Sequence, residues 1–144
     1  MGYRSDVALG IAFPNKAALT AFASAQLVTG TKEMQEAIKQ FGVTHMSAGY
    51  GEHVVLWIGM EQVKWYSDYP DVAAFNQIMQ NAKDLEYPTI EIEIGEDIDD
   101  IKFEVTDGDK ADASCLYETL GVSRRITQPD TSEDISSFVK ENQP

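Results

Sequence analysis

The stretch "PTIEIEI", residues 88–94, alternates without exception. Ile90, Ile92 and Ile94 fall on one side of an extended chain and Thr89, Glu91 and Glu93 on the other, because successive side chains of a strand point to opposite faces. A helical period would scatter both sets around a cylinder, so residues 88–94 read as a strand with one core face and one wet face. Such a strand must bury its apolar side against a sheet and a covering layer.

The rest of the chain supplies both. "YRSDVALGIAF" (3–13) ends in an apolar run closed by Pro14 and reads as a buried first strand. "PNKAALTAFASAQL" places Leu19, Phe22, Ala23 and Leu27 near helical spacing after a Pro14-Asn15 start signal. "VTGT" interrupts that helix, and "TKEMQEAIKQFG" resumes the spacing through Met34, Ala37, Ile38 and Phe41, with Gly42 as its stop. "VTHMSAGYGEHVVLWIGM" reads as a hairpin turning at residues 49–52, and "VKWYSDY" as an extension of the sheet or a further strand. "YPDVAAFNQIMQNAKDL" is the clearest helix: Pro70 sits near its start, Asp71 faces the positive end of the dipole, and Val72, Phe75, Ile78, Met79 and Ala82 line one face. After 88–94 come a short strand "IKFEV", a loop "TDGDKAD", and "SCLYETLGVSRRI", which ends in another strand.

This order predicts an α+β fold: a single-domain antiparallel sheet with two to three helices packed on one face, its first six elements following a split βαβ plan. Residues 1–127 form the globular domain. Residues 128–144, polar and proline-flanked, form a loose tail with one helical turn at Ile135–Val139. No stretch approaches the roughly 20 apolar residues of a membrane span, the N-terminus lacks the apolar core of a secretory signal, and the single Cys115 fits a reducing cytoplasm.

Charge sharpens the functional reading. Of the net −13, residues 84–118 carry thirteen Asp/Glu against two Lys, or −11; the flanking blocks are each close to neutral. Such a field repels nucleic acid and membranes and attracts basic proteins or cations. Its densest part is "IGEDIDDI" (94–101), with Glu96, Asp97, Asp99 and Asp100 in a turn after the alternating strand. Beside it in character is "VKWYSDYPDV" (63–72), where Trp65, Tyr66 and Tyr69 accompany Asp68 and Asp71, aromatics of the kind that anchor interfaces.

Catalytic and metal chemistry find little support. A calcium loop starting at Asp107 has Ala111 and Asp112 where an acidic ligand and the sharp-turn Gly belong. His45 and His53, on the two arms of the hairpin, offer too few ligands for zinc. Cys115 lies between Asp112 and Glu118, neighbours that disfavour a thiolate. No catalytic residue, cofactor or metal is therefore assigned. A nucleic-acid mimic is a further alternative, since Glu91 and Glu93 on one strand face stand about 6.6 Å apart, near a phosphate spacing.

In order along the chain, "YRSDVAL", "VKWYSDYPDV", "IGEDIDDI" and "VSRRI" together resemble a family of small acidic proteins of tailed bacteriophages and prophages, over residues 3–126. The family has no established activity, so the resemblance carries over no functional residue. It implies an accessory protein that binds a host protein and modulates or inhibits it, as in anti-defence. Residues and resemblance together give a non-enzymatic, cytoplasmic protein that binds a basic surface of a host protein. Trp65, Tyr66, Asp68, Tyr69, Asp71, Glu91, Glu93, Glu96, Asp97, Asp99 and Asp100 form its contact set. It would bind no nucleic acid directly and no membrane. The alternative from another class is a small-ligand or divalent-metal domain. Arg124 and Arg125 are expected to give one ion pair to the acidic turn.

Overall fold

The structure, a computed structural model, describes residues 4–45, 51–97, 99–117 and 133–142. Strand β1 (Ser5–Phe13) is followed by helices α1 (Lys16–Thr29) and α2 (Lys32–Ile38), then by strands β2 (Gly42–His45) and β3 (Val54–Val63). Helix α3 (Pro70–Asp84), strands β4 (Thr89–Ile94), β5 (Ile101–Thr106) and β6 (Glu133–Asp134), and helix α4 (Ile135–Asn142) complete the order. Among the described residues one antiparallel sheet of order β5-β4-β1-β3-β2-β6 contains every strand. Its central order, β4-β1-β3-β2, is the split βαβ arrangement: each helical crossover skips one strand, which the other unit fills. The fold is α+β.

Local chemistry sets the boundaries. Asn15 Oδ1 accepts the Ala18 amide at 2.8 Å and starts α1; Thr31 Oγ1 accepts the Met34 amide at 3.2 Å and starts α2. The interruption falls at Gly30, where an added Cβ would stand 2.4 Å from the Gln26 carbonyl oxygen that accepts Gly30's own amide. Pro70 opens α3, where its missing N–H costs nothing.

The sheet is covered on both faces. Val7, Leu9, Ile11 and Phe13 of β1 join Leu56 and Ile58 of β3 under the helices, in one large cluster. On the opposite face Ala8 and Ala12 pack with Trp57, Ile90, Ile92, Cys115 and Leu116. The apolar side of β4 faces away from the helices, into this second layer, closed by the chain that returns after β5. The strictly alternating strand has the right period, but alternation does not say which face the helices take.

Three local expectations are corrected. Gly42 does not stop α2, which ends at Ile38; Gly42 opens β2, opposite Trp57 and Asp134. Residues 64–69 are not a strand, since β3 ends at Val63. Residues 133–142 are not a loose tail: β6 pairs with β2, and Ile135, Phe138 and Val139 of α4 enter the helix-side core. Those three residues recur at helical spacing within polar surroundings, and β2 offers an edge for the preceding strand to pair with. The strand expected within "VSRRI" lies outside the described residues; residues 114–117 are helical. Phe138 is 1 % exposed, so Phe138→Ala is expected to lower stability by about 3–5 kcal/mol in urea unfolding. A loss under about 1 kcal/mol would restore the loose tail.

Candidate functional site

The acidic turn closes on its own main chain. Gly95 N donates to Asp100 O at 2.8 Å, Asp100 N to Asp97 O at 3.0 Å, and Ile101 N to Asp99 O at 3.1 Å. Main-chain bonds thus help to set the loop shape. Glu96 adds a side-chain contact: its Oε1 accepts the Arg4 amide at 2.9 Å, tying the turn to the start of β1. Glu96, Asp97, Asp99 and Asp100 are all exposed.

Arg4 links this turn to a second feature. Its Nη1 donates to Gln62 O at 3.1 Å, while Asp6 Oδ1 accepts the Gln62 amide at 2.9 Å. Gln62 has φ 55°, a left-handed conformation that costs a non-glycine residue about 1–2 kcal/mol, and these two side chains hold its peptide groups there. The kink takes the chain out of β3 and into "KWYSDY". Beside it opens a cleft of about 430 Å³, lined by Arg4, Gln62, Trp65, Tyr69, Asp71 and Phe75 among others.

The aromatic residues divide their work. Trp65 is half-buried, its ring 5.7 Å from Phe75 of α3, so it both packs and forms a wall of the cleft. Tyr69 is exposed at the head of α3, its ring edge-on to Tyr66 at 5.2 Å. Asp68 lies exposed between the two tyrosines. Asp71 Oδ1 accepts the Val72 amide at 2.9 Å in the first turn of α3.

Glu91 and Glu93 are arranged differently. Lys83 Nζ of α3 stands 3.0 Å from Glu91 Oε2, in a pair that is largely shielded from solvent, and Lys102 Nζ stands 3.7 Å from Glu93 Oε2. Both carboxylates have lysine partners within the fold, which weakens their use as a bare phosphate-like line. The structure thus joins Glu96, Asp97, Asp99 and Asp100 with Trp65, Tyr69 and Asp71 at one end of the sheet. Glu91 and Glu93 serve the β4–β5–α3 packing. Arg124 and Arg125 lie outside the described residues.

The remaining titratable candidates are engaged in packing or turns. His45 Nε2 lies 3.4 Å from Glu133 of β6, and His53 Nε2 accepts the Asp112 amide at 3.3 Å, so each histidine has a different neighbour. Asp112 Oδ1 accepts the Ser114 amide at 2.9 Å; Ser114's amide and hydroxyl, with a smaller contribution from His53, hold the Asp112 carboxyl below its ordinary range. Cys115 is fully buried in the second apolar layer. Among the described residues no three His, Cys, Asp or Glu side chains converge as a metal-ligand set, and no helix is long and apolar enough to cross a membrane.

Arg4 and Gln62 escape sequence reasoning because a positive φ at glutamine and a contact across 92 residues leave no local pattern. Ile101, Phe103 and Tyr117 escape it too. The alternation of "IKFEV" marks a strand, yet Ile101, Phe103 and Tyr117 are all exposed. Glu96→Ala, which removes the acceptor for Arg4 N, is expected to lower stability by about 0.5–1.5 kcal/mol in thermal melts. No change would mean that the turn stands without Arg4. Searches of protein-family models, of curated proteins and of solved structures found no match for this chain.

Proposed function

We propose that this is a non-catalytic binding protein that engages a basic surface of another protein through the acidic turn and the aromatic cleft beside it. One observation carries the reading: Arg4 bonds at once to Glu96 of the turn and to Gln62 of the cleft. Asp97, Asp99 and Asp100 steer and pair with Lys or Arg of the partner. Exposed charge pairs contribute only about 0.2–1 kcal/mol each, so the affinity needs an apolar anchor as well. Trp65 and Tyr69 supply one, in a partly desolvated recess of the kind that hosts interface hot spots. The resemblance to acidic bacteriophage proteins makes the partner a host protein in the bacterial cytoplasm, whose activity binding would inhibit.

The test is affinity capture from bacterial lysate at low and high salt, with wild-type protein and Tyr69→Ala. Tyr69 is exposed and gives no side-chain cap to α3, so its removal spares the fold. The expected result is a basic protein retained at low salt, released at high salt and held more weakly by Tyr69→Ala. Retention of no specific protein, or of one indifferent to both salt and Tyr69, would refute the reading.

A further inference from the structure

Among the described residues strand β5 is an edge with exposed apolar side chains. Ile101 is 61 % exposed and Phe103 50 %, with Tyr117, 52 % exposed, stacked on the Phe103 ring at 6.4 Å. Ile94 of β4 extends the patch. The opposite face of the same two strands is charged, with Glu91, Glu93 and Glu104 set among Lys83 and Lys102.

The main chain of this edge is open among the described residues. The Gly95–Asp100 bond fixes which β4–β5 pairs exchange hydrogen bonds, because antiparallel pairs alternate. Glu93–Lys102 and Glu91–Glu104 bond inward, so Phe103 and Val105 turn their N–H and C=O groups away from β4. The bond from Ala12 N to Pro88 O gives the same alternation from the β1 side. Edges of this kind are commonly blunted by proline, a bulge or an inward charge. The β4–β5 register runs unbroken from Thr89↔Thr106 to Ile94↔Ile101, with no proline and no bulge; Lys102 and Glu104 are the charged side chains of the edge.

We propose that β5 takes up an extended segment of the partner as a seventh strand, and that this segment alternates apolar residues with Lys or Arg. The inference rests on the reading above and adds the mode of binding. Main-chain bonds to Phe103 and Val105 give the affinity, and alternate side chains give the selectivity. Apolar residues of the segment lie on the face of Ile101, Phe103 and Tyr117. Basic residues lie on the face of the half-exposed Glu104 and run on past the Lys102–Glu93 pair toward the acidic turn.

A second copy of this chain fits less well. Antiparallel pairing centred on Phe103 would match Lys102 with Glu104, but it would also bring together the acidic segments that flank β5 in both copies. That like-charge contact opposes self-pairing.

The probes are two peptides of equal composition, acetyl-KVKVKVK-amide and acetyl-KKKKVVV-amide. Binding is followed by fluorescence anisotropy and by amide hydrogen exchange of the full chain. The alternating peptide is expected to bind at least tenfold more tightly than the block peptide and to slow exchange at Phe103 and Val105. Phe103→Glu, at a half-exposed position, is expected to erase that preference. Equal binding of both peptides without protection of β5 would overturn strand addition while leaving the acidic surface as the binding site. Binding of neither peptide would overturn strand addition, and the capture experiment above would then decide the acidic site on its own. Concentration-dependent dimers that Phe103→Glu abolishes would assign the edge to a second copy and overturn the proposal.

Discussion

Trp57→Ala is expected to cost about 3–5 kcal/mol of stability, measured by urea unfolding. Trp57 is the largest fully buried side chain, and it sits on the sheet face away from the helices. Its ring lies over Gly10 of the paired strand β1: a Cβ added at Gly10 would stand 2.7 Å from Trp57 Cε3 and 2.9 Å from Ile90 Cγ2. Gly10→Ala should therefore cost about 1–3 kcal/mol by overpacking alone. The two effects are opposite in sense, one leaving a void and the other filling space already taken. The double variant Gly10→Ala/Trp57→Leu should then be more stable than the sum of its single changes predicts, by about 0.5–3 kcal/mol. Strict additivity would mean that the indole does not occupy the space above Gly10.

The triple variant D97K/D99K/D100K should bind a basic partner roughly a hundredfold more weakly at low salt, with most of the difference gone at high salt. Three favourable pairs are lost and three repulsions appear, each on the order of 0.2–1 kcal/mol, for a total near 3 kcal/mol. The association rate should carry much of the change, because the block near the turn holds most of the chain's net charge and would steer the encounter. Glu96, which anchors Arg4, is kept, and the main-chain bonds that help close the turn need no carboxylate. Circular dichroism and a melting curve check that the fold is kept.

Much of the frame is legible in the sequence where one local signal suffices. The alternation of 89–94 gives β4, Pro70 and the apolar spacing give α3, and Gly30 divides α1 from α2. What fails depends on distant contacts. The two-residue strand β6 exists only because β2 offers it an edge, and α4 follows because its three apolar residues then reach the core. "TDGDKAD" reads as a polar loop, yet Gly108 fits there because a Cβ would meet the Glu86 carbonyl oxygen at 2.2 Å, and Lys110 N donates to that same oxygen at 3.1 Å. This close approach carries the chain back over the second face, where Ala111, Cys115 and Leu116 cover Trp57.

The candidate site shows the same division. Composition marks the acids of 96–100 and the aromatics of 65–69, but nothing local says that they share one end of the sheet. That follows from the register of β1 with β3 and β4, which sets Arg4 between them. Glu91 and Glu93 resemble the turn acids in sequence, and only the position of α3 and of Lys102 distinguishes them.

Quantitative capture of a basic bacterial protein separates a specific acidic site from net charge alone. Wild type is compared with D97K/D99K/D100K and with E33K/E36K/E141K, which changes net charge equally at exposed positions away from the turn. Capture that is kept by the second variant and lost by the first is the predicted result. Equal loss in both, or loss in neither, would contradict a binding site at the acidic turn.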